Sequence, residues 1–179
     1  EGEDRPALAC FITIDADGHK KSHHFSRVVM RVIAGLAYEQ AQAAIDGRLQ
    51  HELLTTVLRP LWAAYAALSK ARDKRGPLDL DLPERKIVLD AQGHVSKVVS
   101  PERLDAHRLV EEFMIQANVA AAEQLNKKRT PLLFRVHEEP STEKLRALQE
   151  FLRTTNIPFS LGQVVRSQHF NQILRAAKD

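Results

Sequence analysis

AHRLVEEFMIQANVAAA, residues 106–122, reads as one unbroken helix, and the rest of the chain is organised around it. At about 100° per residue, with Glu111 set at 0°, Val110, Met114, Ala117, Ala121 and Leu125 cluster between about −120° and −40°. This stripe is the expected core side. Arg108, Glu112, Gln116, Glu123 and Asn126 gather between about 60° and 140°, the expected wet side. His107, Glu111 and Asn118 line the boundary of the apolar side, beside Leu104, Ile115 and Ala122. A carboxylate placed there needs a partner or a ligand, because burying it unpaired is costly. One reading pairs His107 and Glu111 with each other, at i and i+4, or with a neighbouring helix. The other turns the row toward a polar ligand, with Asn118 donating and accepting hydrogen bonds and Glu111 accepting them from hydroxyls. Spacing leaves both open.

Outward from this helix the pattern is α+β, with helices dominating. Residues 7–14, ALACFITI, are apolar and β-rich, and the turn signal Asp15-Ala16-Asp17-Gly18 leads to a returning strand over 24–32, a hairpin. Leu36 to Ile45 reads as a short helix ending near Asp46-Gly47. Residues 49–74 carry apolar side chains at helical spacing, with a kink or break expected at Pro60. A second hairpin is expected after Gly76-Pro77, from Leu78–Leu82 and Lys86–Asp90 returning through His94–Ser100. The long helix is expected over 101–128 and a short strand over 132–137. Another helix opens at Ser141, a suitable N-cap, and a last one runs from Phe170 to Ala177.

The 179 residues suit one domain with a real core. Apolar residues at 44% and charged residues at 27% are ordinary for a soluble chain, and no apolar run approaches the roughly 18 residues of a membrane span. Cys10 is the only cysteine, which excludes an internal disulfide or thiolate metal cluster and fits a reducing, cytoplasmic setting. The acidic start EGEDRPALACF does not have the character of a signal or transit peptide. A net charge of +3 permits a nucleic-acid partner without demanding one. His19, His23 and His24 with Lys20 and Lys21 read as a solvated hairpin edge ahead of a metal or phosphate site. Asp15 and Asp17 read as turn residues, with no metal role.

LDAHRLVEEFMIQANVAAA resembles the central helix of the ribonuclease II and ribonuclease R (RNB) family of 3′-to-5′ exoribonucleases. Four further stretches match that family in order. RPALACFITIDADG resembles the hairpin after its catalytic loop, and Leu36 to Gln40 resembles its Leu-Thr-Tyr-Glu element. RGPLDLDLPE resembles the stretch after its helical arm, and PLLFRVHEEPSTEKLRAL the strand and helix after the central one. Together they cover nearly all 179 residues.

The resemblance implies a helix-rich piece of an RNB catalytic domain, spanning 1–179, with two β-hairpins around a long central helix. In such enzymes single-stranded RNA threads a narrow channel. By position, Tyr38 and Glu111 match residues that contact ribose and help tell RNA from DNA, with Asn118 on the same helix face. A carboxylate accepting from a 2′-OH suits that task, since only RNA offers the donor. Leu80 stands where several relatives carry a base-stacking phenylalanine, and leucine packs without a π-face. The family hydrolyses phosphodiesters with Mg²⁺ held by an Asp-x-Asp-Asp-Ala cluster and uses an arginine of a Ser-Pro-Ile-Arg-Arg-Tyr segment. Neither motif occurs within these residues, nor do the flanking cold-shock and S1 barrels. The expectation is a stretch of RNA-channel wall from a processive exoribonuclease, without hydrolytic residues and inactive alone, able to self-associate through surfaces its parent would cover. The rival is a stand-alone RNA-binding or protein-interaction module derived from the domain.

Overall fold

A computed structural model describes residues 1–78, 80, 85–160 and 166–177. The element order is β1 (Asp4–Ile14), β2 (Lys20–Arg31), α1 (Tyr38–Ile45), a π-helical turn (Leu54–Leu58), α2 (Arg59–Arg75), β3 (Lys86–Leu89), β4 (Val95–Val99), α3 (Asp105–Lys127), α4 (Thr142–Thr154) and α5 (Ser167–Ala176). The strands form two separate antiparallel hairpins, β1–β2 and β3–β4. The chain is therefore α+β, and α3 is its spine, contacted by α1, α2 and both strands of the first hairpin.

Both hairpins turn in the same way. Asp15 Oδ1 accepts from the backbone N–H of Asp17 and His19, and Asp90 Oδ1 accepts from Gln92 and His94. Gly18 and Gly93 supply the positive φ that each turn requires. The sequences, DADGH and DAQGH, carry this chemistry in five residues each. Gly18 has a second reason to be glycine: a Cβ built there would lie 2.0 Å from the carbonyl oxygen of Ala67 on α2. The turn thus rests directly on α2, and Lys70 reaches across to Asp17 at 3.0 Å.

The first hairpin meets α3 through one face. His23 lies 3.6 Å from Glu123 of α3, and Lys20 is bonded to the same carboxylate. Ile12 stands opposite His23 and Cys10 opposite Phe25, so these side chains share that face. Lys20 and His23 are accordingly largely buried, which corrects the expectation of a solvated edge; His19 and Lys21 remain exposed. Further along the same face Leu8 and Val29 are 70% and 72% exposed.

Pro60 does set a boundary. The helical stretch before it is a π-helical turn, and α2 starts at Arg59 with the proline in its first turn, where its missing N–H costs nothing. Gly76, in the left-handed region, closes α2. Ser141 caps α4 by accepting from the Lys144 N–H at 3.3 Å. Two expected strands differ. Residues 132–137 form none: among the described residues no strand pairs with them, and Leu133 is 99% exposed. Of the expected limb 78–82, Leu78 and Leu80 are outside any strand, and the other positions lie outside the described residues.

The largest correction concerns the rotation of α3. Its buried residues are Ala106, Leu109, Glu112, Gln116 and Ala120, so Glu112 and Gln116, read as the wet side, face inward. Val110, Met114 and Val119 are exposed, Met114 at 60%. Among the described residues the core that results is alanine and leucine in equal number. Ala44 of α1, Ala71 of α2, and Ala106 and Ala120 of α3 are all buried, which brings the helices close together.

Candidate nucleic-acid interface

Three backbone devices place the residues of interest. Ala37 N–H donates to Gln40 Oε1 at 2.9 Å and fixes the start of α1, which sets Tyr38 as its first residue. Leu104 N–H donates to His107 Nδ1 at 3.2 Å and fixes the start of α3. Gln42 of α1 ties the two starts together, its Oε1 accepting from Ala106 N–H at 3.0 Å. With both helix ends clamped, the Tyr38 ring stacks on the His107 imidazole, centroids 4.1 Å apart and planes 24° from parallel.

Glu111 lies one turn beyond His107 on the same side of α3. It is held by two arginines: Oε2 is bonded to Arg103, and Oε1 accepts from Arg72 of α2 at 3.4 Å. Its side chain is 35% exposed, so the carboxylate remains reachable from solvent. Of the two sequence readings, pairing with a neighbouring helix therefore holds for Glu111, while His107 pairs with a backbone amide and an aromatic ring.

Glu112, next along, is of a different kind. Its side chain is 2% exposed and is bonded through Oε1 to the same Arg72, while Oε2 has no hydrogen-bond partner. Arg72 thus bridges the buried and the exposed carboxylate. The bond to Glu112 raises the pKa of the guanidinium, so it stays charged. Glu112 borders a polar cleft of about 310 Å³ between α2, α3 and α5, which Tyr65, Arg108 and Arg175 also line. Burial, reinforced by the negative charge of Asp105, pushes the Tyr65 phenol up.

Of the residues singled out in the sequence, Tyr38 stacks on His107, and Glu111 follows His107 by one turn on the same side of α3. Asn118 is exposed on α3, seven residues or about two turns past Glu111. Leu80 is exposed outside any helix or strand and no described contact ties it to the group. Arg72 and Arg103 were missed. Arg72 is 39 residues from Glu111, and no local spacing could have announced the contact.

A Mg²⁺ site needs several convergent oxygen ligands, and the acids singled out here are each engaged by a basic side chain. Asp15 is bonded to Lys21 and Asp17 to Lys70, Glu111 to Arg103 and Arg72, and Glu112 to Arg72. Among the described residues no cluster of three His, Cys, Asp or Glu side chains could hold a metal ion.

The family model described as "RNB domain" matches residues 1–179. The chain is 30% identical to "Ribonuclease R" of Escherichia coli (strain K12) over 180 residues, 98% of this chain and 22% of that protein. It is 35% identical to "Ribonuclease R" of Aquifex aeolicus (strain VF5) over 171 residues, 93% of this chain and 23% of that protein. Among solved structures it is similar to the apo form of Mycoplasma genitalium RNase R and to that enzyme in complex with ribose methylated single-stranded RNA. Each gives a TM-score of 0.88 at 26% identity, covering 99% of this chain and 28% of the other. The chain spans about a quarter of the length of these relatives.

Proposed function

The chain belongs to the RNB domain family, and from that membership we propose that it is part of a processive 3′-to-5′ exoribonuclease acting on single-stranded RNA and releasing nucleoside 5′-monophosphates. In this reading the segment forms wall of the RNA channel, and Tyr38, Glu111 and Asn118 face the RNA. The observation that carries it is the group Tyr38–His107–Glu111. A phenol without a hydrogen-bond partner among the described residues is stacked on His107, and one turn on along α3 a reachable carboxylate is held by Arg103 and Arg72. Each Glu111 oxygen accepts one arginine, and a carboxylate has about four acceptor sites, so capacity remains for a ribose 2′-OH. The solved relative bound to ribose-methylated single-stranded RNA supports RNA as the ligand class.

The hydrolytic step belongs, in this proposal, to Mg²⁺ and an aspartate cluster elsewhere in the parent enzyme, in the cytoplasm. Tyr38, Glu111 and Asn118 bind and orient ribose and do not touch the phosphodiester. The exposed Leu8 and Val29 on the first hairpin favour the view of a part over that of a self-contained module, because bare apolar faces usually mark contacts made elsewhere. By the same reasoning the isolated chain self-associates. The test is to incubate the purified 179 residues, and separately the full-length parent, with labelled single-stranded RNA and Mg²⁺. The parent should shorten the RNA from its 3′ end and the 179 residues should leave it intact. Shortened products from the 179 residues alone would refute the assignment of hydrolysis to other segments.

A further inference from the structure

We infer that His107 is a positioning residue that sets RNA-over-DNA preference by holding the Tyr38 ring in place. The inference rests on the reading of Tyr38 and Glu111 as ribose readers. Tyr38 is the first residue of α1, an exposed position where a tyrosine side chain would ordinarily sample several rotamers. Here its ring lies nearly parallel on His107 at 4.1 Å. His107 is in turn fixed because Nδ1 accepts from the Leu104 N–H. One side chain therefore performs two separable tasks: a ring nitrogen caps α3, and the ring face supports the phenol. Glu111, one turn on, is fixed independently by Arg103 and Arg72. The placement of the phenol relative to that carboxylate thus depends on the imidazole its ring stacks on.

The two tasks are separated by substitution. His107→Asn keeps a short acceptor for the Leu104 amide and removes the aromatic face; His107→Phe keeps the face and removes the acceptor. The measurement, in the full-length parent, is the ratio of kcat/KM for an RNA oligonucleotide to that for the same oligonucleotide with one 2′-deoxyribose near its 3′ end. Melting temperature is recorded alongside. Aromatic pairing of this kind corresponds to about a two- to ten-fold effect. His107→Asn should therefore lower the ratio about two- to ten-fold at nearly unchanged melting temperature. His107→Phe should keep the ratio and lower the melting temperature. A His107→Asn ratio equal to wild type, or a His107→Phe ratio that falls as far as that of His107→Asn, overturns the inference. Tyr38→Phe, which removes only the hydroxyl, tells the two failures apart. If it leaves the ratio unchanged, the reading of Tyr38 itself fails and this inference falls with it. If it lowers the ratio while His107→Asn does not, only the role of His107 is lost.

Discussion

Arg72, near the end of α2, is bonded to Glu112 on the buried flank of α3, and among the described residues Glu112 has no other hydrogen-bond partner. The pair closes the α2–α3 contact with charge in a place where the neighbouring core is mostly alanine and leucine. Removing one member of a buried ion pair strands the other, a change that typically costs about 3–5 kcal/mol. Arg72→Ala should therefore destabilise the chain by about that amount, as read from the midpoint of chemical denaturation. A loss under about 1 kcal/mol would place the pair among surface bridges.

Glu111 shares Arg72 but sits in partial contact with water, so its truncation should have the opposite profile. Glu111→Ala leaves Arg72 bonded to Glu112 and removes one bond from the partly exposed Arg103, at a stability cost of about 0–1 kcal/mol. Losing a charged-group hydrogen bond to ribose costs about 1.5–3 kcal/mol, a roughly ten- to hundred-fold loss of RNA-over-DNA selectivity at the 3′ end of the parent's substrate. A destabilised Glu111→Ala that still prefers RNA as before would end the ribose-reading assignment.

Gly18 should tolerate no side chain. Gly18→Ala brings a Cβ to 2.0 Å from the Ala67 carbonyl and places alanine at φ +79°. Both effects push the first hairpin off α2, and the cost should exceed about 1 kcal/mol. The thermal melting temperature checks it, with Gly93→Ala as the comparison, since its Cβ would meet open space at a similar positive φ.

Acid should loosen the same hairpin. The bond from Lys21 and then the His19 N–H hold Asp15 well below the usual carboxylate range, and Lys70 lowers Asp17. A depressed carboxylate contributes stability that is fully present above its unfolded value of about 3.9 and is lost as pH falls through the lower folded value. Melting temperature should therefore fall below about pH 4, and the double variant Asp15→Asn, Asp17→Asn should show a flatter acid limb. An unchanged acid limb in that variant would remove these two groups from the pH dependence.

Much of the fold was legible in the chain because its causes are local. The Asp-x-x-Gly turns of both hairpins, the boundary at Pro60, Gly76 after α2 and the Ser141 cap all act within a few residues, and each element they delimit is present. The α+β class and the family assignment rest on such stretches and on their order. Tyr38 and Glu111 were singled out by resemblance; the structure stacks Tyr38 on His107 and bonds Glu111 to Arg103 and Arg72, partners that no local pattern announces. What the sequence could not settle was which flank of α3 turns inward. Its apolar stripe at Val110 and Met114 faces out, and Glu112 faces in, because Arg72 arrives from 40 residues away to neutralise it. Residues 132–137 have the composition of a strand and, among the described residues, no strand beside them. Helical periodicity measures the average preference of a face for water, whereas burial of a charge is decided by whether one particular partner reaches it, and only the packed helices bring that partner within reach.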